Sequence, residues 1–168
     1  MVLADVLAFG FKGLEFLPLA GLEYKQLPTF LVKMKAIVIV KNNDARCVGN
    51  AIASAHAKLK KKQDRPHNYN HRFQTYNLDQ IRYHLEVADI PTIEDMLEVG
   101  INVSSFFDDE GKGRYLLYAT RKVYERRIDL LYWDQHFAWI TNFRRFMADL
   151  SGRHTLHWCR SCLGNFSR

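Results

Sequence analysis

The sequence predicts an α+β domain in which amino-terminal helices pack on an antiparallel sheet. Two observations predict this class: the segments with helical spacing of apolar residues come first along the chain, and a run of alternating, strand-like segments follows them. The chain has 168 residues, of which 48% are hydrophobic and 25% charged. This length and composition fit one globular domain with a sizeable core and disfavour a disordered segment.

The elements of the first half follow from local patterns. The apolar, β-branched segment 35–40 predicts a short buried strand. Asp44 ends a polar turn and is placed to cap the helix expected over 46–58, where small and apolar residues recur at helical spacing. Residues 59–77 are polar and predict a loop.

The second half predicts two helices and then a run of strands. The helices are expected over 78–87 and 92–99, the second ending at Gly100. Strands are expected over 101–107, 114–120, 127–133 and 136–141, with a hairpin turn over 108–113 and a last helix over 143–150. The main domain then covers residues 1–150, and 151–168 form a short tail.

Charge is arranged in alternating blocks, although the net charge is only +6. Residues 58–72 hold six basic side chains and one acid, residues 86–110 hold eight acids and no Lys or Arg, and residues 144–168 hold five Arg and one Asp. Such blocks suit nucleic acid or an acidic protein surface as a partner, and they equally suit a solvated surface. Segments 58–72 and 144–168 are therefore the candidate nucleic-acid contacts.

Cysteine usage and hydropathy predict an intracellular protein, cytoplasmic or nuclear. The three cysteines are Cys47, Cys159 and Cys162, and an odd number with one Cys-x-x-Cys pair argues against a disulfide scaffold. No apolar run reaches the roughly 18 residues of a membrane helix. The apolar start carries Asp5 and lacks a basic leader, so neither a secretory signal nor a membrane anchor is expected.

Cys47 and His136 are the residues most suited to nucleophilic chemistry. Cys47 stands where a polar turn meets a helix start, and the positive end of the helix dipole favours the thiolate. Asp44 is placed to shape the backbone that would hold an oxyanion, and His136 opens a late strand as the candidate base. The competing interpretation is that Cys47 is a small buried hydrophobe and His136 a polar residue at a strand end.

Four stretches carry a resemblance to a known family. The run from Gly21 to Cys47 resembles "PLPxFLxxKKAIINxKNxDxxCF", and residues 83–103 resemble a segment containing "DIPKFExxNxISINV". His136-Phe-Ala-Trp-Ile-Thr-Asn-Phe is similar to "HYxWIKNF", and the stretch around Cys159 to "CxxCLxxF". These motifs belong to the amino-terminal region of the protein-primed family B DNA polymerases of Polinton/Maverick-type mobile elements and adintovirus-like viruses.

The resemblance implies a papain- or OTU-like cysteine-peptidase fold. Its Asp-x-x-Cys and His-aromatic motifs match Asp44, Cys47 and His136, which implies a thiol hydrolase of deubiquitinase type with a ubiquitin-like protein as substrate. OTU enzymes commonly place Asn or Asp two residues after the His, where this chain has Ala138. Asn142 and Asp134 are then the candidates for orienting the imidazole.

The Cys159-x-x-Cys162 pair has the spacing of half a zinc finger. His154 and His157 are the nearby candidate ligands, although His157 is only two residues from Cys159. The tail is expected to be an incomplete finger, with Zn²⁺ as its candidate cofactor and none for the main domain.

Two other function classes remain open. One is a non-catalytic module that binds nucleic acid or tethers a polymerase, with Tyr69, Phe73 and Tyr76 stacking on bases. The other is a stand-alone protein whose acidic and basic faces bind a partner. DNA synthesis by this chain is excluded, because it is too short and has no paired catalytic aspartates.

Overall fold

The computed structural model describes residues 24, 26–81, 85, 87–107, 113–148 and 157–166. Within them the α+β class is confirmed: several helices pack on one five-stranded, mostly antiparallel sheet. The helices are α1 (Thr29–Met34), α2 (Cys47–Ala57), α3 (Asn70–Thr75), α4 (Ile90–Leu97) and α5 (Phe143–Met147). The strands are β1 (Ile37–Val38), β2 (Gly100–Phe106), β3 (Arg114–Tyr118), β4 (Arg127–Trp133), β5 (His136–Ile140), β6 (His157–Trp158) and β7 (Asn165–Phe166).

The main sheet has the strand order β1-β5-β4-β2-β3, and β6 and β7 form a separate two-stranded sheet. Neighbouring strands are antiparallel except β2 and β4, which run parallel with Gly100 opposite Arg127. The prediction of a purely antiparallel sheet is therefore wrong at this pair. The chain leaves β2, returns along β3 at the edge, and re-enters the sheet on the other side of β2 as β4.

Alternating side chains of β4 and β5 divide the core between the two faces of the sheet. On one face, Leu130 and Phe137 pack with apolar residues of α2, α3 and α4. On the other face, Leu131 and Ala138 pack with α1 and α5. The result is a sheet covered by helices on both sides, with α2 against β5 in the thicker layer.

Helix α2 is enclosed along most of its length, because every residue from Cys47 to Ala55 is buried. Its sequence is rich in Ala and Gly, so the sheet and α3 approach its backbone closely. The buried hydroxyl of Ser54 donates to the carbonyl of Ala51 at 2.7 Å and so stays satisfied within the helix. Helix α2 ends at Lys58, whose φ of 46° is left-handed and whose N–H donates to the carbonyl of Ser54.

A buried carboxylate joins α4 to the sheet. Glu94, only 1% exposed, accepts the N–H of Ile101 at 2.7 Å and the phenol hydrogen of Tyr118 at 2.8 Å. These bonds hold the start of β2 and the end of β3 against the same helix. Hydrogen bonding to Glu94 adds to burial in raising the pKa of the Tyr118 phenol.

Several element predictions need correction. The strand expected over 35–40 is limited to Ile37–Val38, because Lys35 ends α1 at a φ of 49°. The loop expected over 59–77 contains a 3₁₀ turn at Pro66–Tyr69 and the helix α3. The second predicted helix, over 78–87, is wrong where the structure describes it: a 3₁₀ turn covers Leu78–Gln80, the backbone is extended at Ile81, and another 3₁₀ turn begins at Val87. Residues 82–84 and 86 of this prediction lie outside the described residues.

The remaining elements agree with expectation to within a few residues. The predicted helix over 92–99 begins two residues earlier, at Ile90, with Pro91 in its first turn and Glu98 as its left-handed end. Most of the hairpin turn expected over 108–113, residues 108–112, lies outside the described residues. No helix among the described ranges is both long and apolar enough to cross a membrane.

The β4–β5 hairpin closes with a two-residue turn in which Asp134 and Gln135 have φ of 48° and 60°. Such a turn favours Gly at its second position, because an L side chain in the left-handed region costs about 1 kcal/mol or more. We therefore expect Gln135→Gly to raise the free energy of unfolding by about 1 kcal/mol in urea titrations.

A matched control is Gln74→Gly, at an exposed position inside α3. Glycine in a helix interior lowers the free energy of unfolding by about 1 kcal/mol. Equal losses at both positions would contradict the turn geometry.

Candidate active site

Cys47 begins α2 and faces the sheet. Arg46 is the residue that precedes the helix, and its N–H is bound at 3.0 Å by the carboxylate of Asp44. Cys47 is therefore presented at the first helical position, as the sequence predicted. Its side chain is only 1% exposed, because α2 lies directly on β5.

His136 lies at the same end of the sheet as Cys47. It is the first residue of β5, pairs with Trp133 across the hairpin, and is 2% exposed. The backbone of the next residue, Phe137, is in hydrogen-bonding contact with the Cys47 thiol. The structure thus brings Cys47 to the first residues of the strand that carries His136, although 89 positions separate the two in sequence (136 − 47). Because side chains alternate along β5, that of His136 belongs with Ala138 to the face of the sheet opposite Cys47.

Two opposing effects act on the Cys47 thiol. Burial is the larger and raises the pKa of Cys47 to about 11, because a thiolate is poorly solvated there. Hydrogen bonding to the backbone of Phe137, Val48 and Cys47 itself lowers its pKa, while the negative charge of Asp44 raises it further. The net result is a neutral thiol at physiological pH.

Tyr132 is a member of this cluster that no sequence motif pointed to. It lies opposite Phe137 in the hairpin, with ring centroids 5.0 Å apart. Burial raises the pKa of Tyr132 to about 12, with further contributions from the charges of Cys47 and Asp134. Those contributions place Asp134, which is exposed in the turn beside His136, close to the same group of residues.

Asp44 acts on the turn before α2 and not as the side-chain cap of the helix. Its carboxylate accepts hydrogen bonds from Arg46 N–H and from the Asn42 amide, each at 3.0 Å, and Asn42 also donates to the Asp44 carbonyl. Asn42 is 3% exposed, and among the described residues its Oδ1 has no hydrogen-bond partner. Asn42 is a second residue missed from sequence, where it read only as part of a turn.

Asn142 is placed away from the cluster. It follows the far end of β5, six residues after His136, which is about 20 Å along an extended chain. Its side-chain oxygen caps α5 by accepting the N–H of Arg145 at 3.0 Å. Of the two candidates for orienting the imidazole, only Asp134 lies at the correct end of the sheet.

The Cys159–Cys162 turn joins β6 and β7 and is held by backbone hydrogen bonds. Cys159 N–H donates to the carbonyl of Gly164 at 2.8 Å, and Leu163 N–H donates to the carbonyl of Cys159 at 2.9 Å. Hydrogen bonds from the Ser161 backbone and from Cys162 lower the pKa of the Cys159 thiol, which favours a ligating thiolate.

Two thiols supply half of a tetrahedral zinc site. Among the described residues no group of three or more potential ligands is present. His157 lies in β6, and His154 is outside the described residues. Zinc at this turn stays a prediction, and a complete site there would need ligands from beyond the described part of the chain.

The aromatic residues expected to stack on bases are occupied elsewhere. Tyr69 is fully buried and donates to the carbonyl of Gln63 at 2.6 Å, and Phe73 is 7% exposed. Tyr76 lies against the ring of His56, with centroids 4.2 Å apart. Any nucleic acid that contacts segment 58–72 therefore meets its cations and not these rings.

Comparisons with protein-family models, with curated proteins and with solved structures find no match to this chain.

The pKa of Cys47 leads to a measurable reactivity. In a Cys159→Ser/Cys162→Ser background, we expect iodoacetamide to alkylate Cys47 with a rate that rises toward pH 11. At pH 7 the rate should be at least about 300-fold below that of a free thiol, because a pKa of about 11 in place of about 8.5 reduces the thiolate fraction by that factor.

The same protein unfolded in urea provides the control and should react like free cysteine. Fast labelling of the folded protein at pH 7 would show that the backbone hydrogen bonds outweigh burial, contrary to this expectation.

Proposed function

We propose that the chain is a cysteine peptidase-type hydrolase domain with Cys47 as nucleophile and His136 as base. One observation carries the proposal: the first residue of the buried helix α2 packs against the first residues of the strand that begins with His136. Thiol acyl transfer requires an imidazole within reach of the thiol, so the proposal requires the His136 ring, at the first residue of β5, to turn toward Cys47 when substrate binds.

Because the Cys47 thiol is neutral before the reaction, its proton must be removed while the sulfur attacks. His136 removes the thiol proton as the sulfur attacks the substrate carbonyl, and it returns that proton to the leaving amine as the carbon–nitrogen bond breaks. Water then cleaves the thioester, with His136 again transferring the proton, and the thiol and a carboxylic acid are regenerated. The backbone N–H groups of Cys47 and Val48 lie at the helix start, where a developing oxyanion would be stabilised.

Asp134 is the candidate for orienting His136, because the turn that holds it also begins β5. Asp44 has a positioning role: with Asn42 it fixes the turn that presents Cys47. The substrate class rests on the resemblance of the four motifs to the OTU-like region of the mobile-element polymerases, which points to the isopeptide bond of a ubiquitin-like protein.

A second candidate function is favoured by the burial of the thiol. A side chain 1% exposed, with a pKa of about 11, is what a structural cysteine shows in an apolar interior. In that case the domain keeps the hydrolase scaffold and acts as a non-catalytic binding module derived from such a polymerase. The two candidates differ in whether a substrate-like electrophile reaches the sulfur.

The distinguishing reagent is ubiquitin that carries a carboxy-terminal propargylamide, which reacts covalently only with a correctly placed thiol. We expect a stable adduct in the Cys159→Ser/Cys162→Ser protein, its loss in Cys47→Ala, and at least about 100-fold slower formation in His136→Gln. Intact-protein mass spectrometry measures the adduct.

The paired substitutions Asp134→Ala and Asn142→Ala provide the control. The first should slow the adduct about tenfold, and the second should leave its rate unchanged while removing the cap of α5. Circular dichroism checks that each variant is folded. Absence of any adduct in a folded protein would reject the hydrolase and support the binding module.

A further inference from the structure

A cleft lined by four cations lies at the opposite end of α2 from Cys47. Its volume is about 270 Å³, and we call it the basic cleft. The length of α2 separates the two places by about 16 Å. The residues that line it are Ala55, Lys58, Arg126, Arg127, Ile128, Asp129, Trp139, Ile140, Thr141 and Arg160.

Rigid backbone positions hold three of these cations. Lys58 is the left-handed residue that ends α2. The carbonyl of Arg126 accepts the N–H of Gly100 at 2.9 Å, and Arg127 pairs with Gly100 in the parallel ladder between β2 and β4. The three side chains are exposed, so their charges face the solvent while the backbone that carries them is held in place.

The fourth cation is fixed by its side chain. Arg160 comes from the Cys159–Cys162 turn, and its guanidinium lies 3.2 Å from the Asp129 carboxylate and 5.5 Å from the centre of the Phe143 ring. Asp129 is 4% exposed and also accepts from the Asn102 amide at 3.0 Å. The tail thereby completes one wall of the cleft.

The cleft has an excess of positive charge. Among the described residues, no salt bridge involves Lys58, Arg126 or Arg127, and Asp129 is the one carboxylate that lines the cleft. Four cations less one carboxylate leave three positive charges, and the carboxylate is already matched by Arg160. Such a site favours a ligand with two or more closely spaced negative charges.

The lining also favours a nucleotide over an acidic peptide. Half-buried Trp139 adds an aromatic surface to the wall, and guanidinium groups bind phosphate oxygens in a bidentate way. Cations that follow a phosphate backbone next to an aromatic ring are the common elements of sites for single-stranded nucleic acid.

The ring of His56 is close enough to these cations for their charges to affect its pKa. Neither ring nitrogen has a hydrogen-bond partner among the described residues. Burial, together with the charges of Arg126, Arg72 and Lys58, lowers the pKa of His56 to about 4. An anion bound among those cations would offset their charge and raise the pKa of His56.

We propose that the basic cleft binds the phosphodiester backbone of single-stranded nucleic acid. This activity is separate from the Cys47–His136 pair and does not depend on it. It overlaps the contacts expected from the sequence only in part: Lys58 and Arg160 belong to the two basic segments, whereas Arg126 and Arg127 lie outside both and the Lys60–Lys62 run does not line the cleft.

The test is fluorescence anisotropy with a labelled twelve-residue oligothymidylate, titrated with the full chain between 50 and 200 mM salt. Three to four phosphate contacts predict a slope of log K against log salt of about −2 to −3. Arg126→Gln/Arg127→Gln should weaken binding at least about tenfold at the lowest salt and reduce the slope by about 1.4, whereas Arg126→Lys/Arg127→Lys should keep most of the affinity.

The matched control is Lys60→Gln/Lys61→Gln, which removes the same charge from exposed positions outside the cleft. We expect less than a threefold loss in this variant. An equal loss in both double variants would show a diffuse electrostatic attraction and overturn the proposal, as would equally tight binding of a polyglutamate peptide of the same charge.

NMR titration of the His56 ring gives an independent readout. Saturating oligothymidylate should raise the pKa of His56, and the increase should disappear in Arg126→Gln/Arg127→Gln. Binding that leaves His56 unchanged would place the nucleic acid elsewhere on the surface and reject the cleft as its site.

Discussion

Helix α2 is enclosed by the sheet on one side and by α3 and its flanking turns on the other. The proposed site at Cys47 and the basic cleft both depend on this packing. Its Ala and Gly residues allow neighbouring backbones to approach, so that its first residue, Cys47, reaches β5 and its last turn leads to Lys58 in the basic cleft. Because a close-packed protein interior transmits strain, a displacement at one point of α2 also moves the rest of the helix. A larger side chain at Ala51 or Ala53 would therefore shift both ends of the helix at once.

Two effects oppose each other at the Cys47 thiol: desolvation raises its pKa, and hydrogen bonding to the backbone lowers it. A thiol with a pKa near 11 is ionised in about one molecule in ten thousand at pH 7, compared with a few per cent for a free thiol. Hydrogen bonding to the backbone of Phe137 and Val48 opposes the effect of desolvation without outweighing it. Hydrolase chemistry in this setting depends on proton transfer to His136 during attack and not on a thiolate that exists beforehand.

Local patterns were sufficient to predict α2, β2 to β5 and the placement of Cys47 at a helix start, because each depends on residues adjacent in sequence. They failed over 78–87, where apolar residues at helical spacing are buried by turns and not by a helix. Tyr69 looked like a polar-loop aromatic, although its ring is buried under α2. The parallel β2–β4 pair, the burial of Cys47 against Phe137 and the distance of Asn142 from the site arise from tertiary contacts that no local pattern contains.

The edge strand β1 pairs with β5 through Ile37 and Ile140, which are 103 positions apart (140 − 37). Ala36 extends this ladder by accepting the N–H of Thr141 at 2.8 Å. Contacts between such distant residues form slowly, because a long loop must close before any stabilisation is gained. During synthesis, β1 leaves the ribosome long before β5, its partner in the sheet. The layer formed by α1 and β1 is therefore completed late, and β5 keeps an unpaired edge until β1 has docked on it.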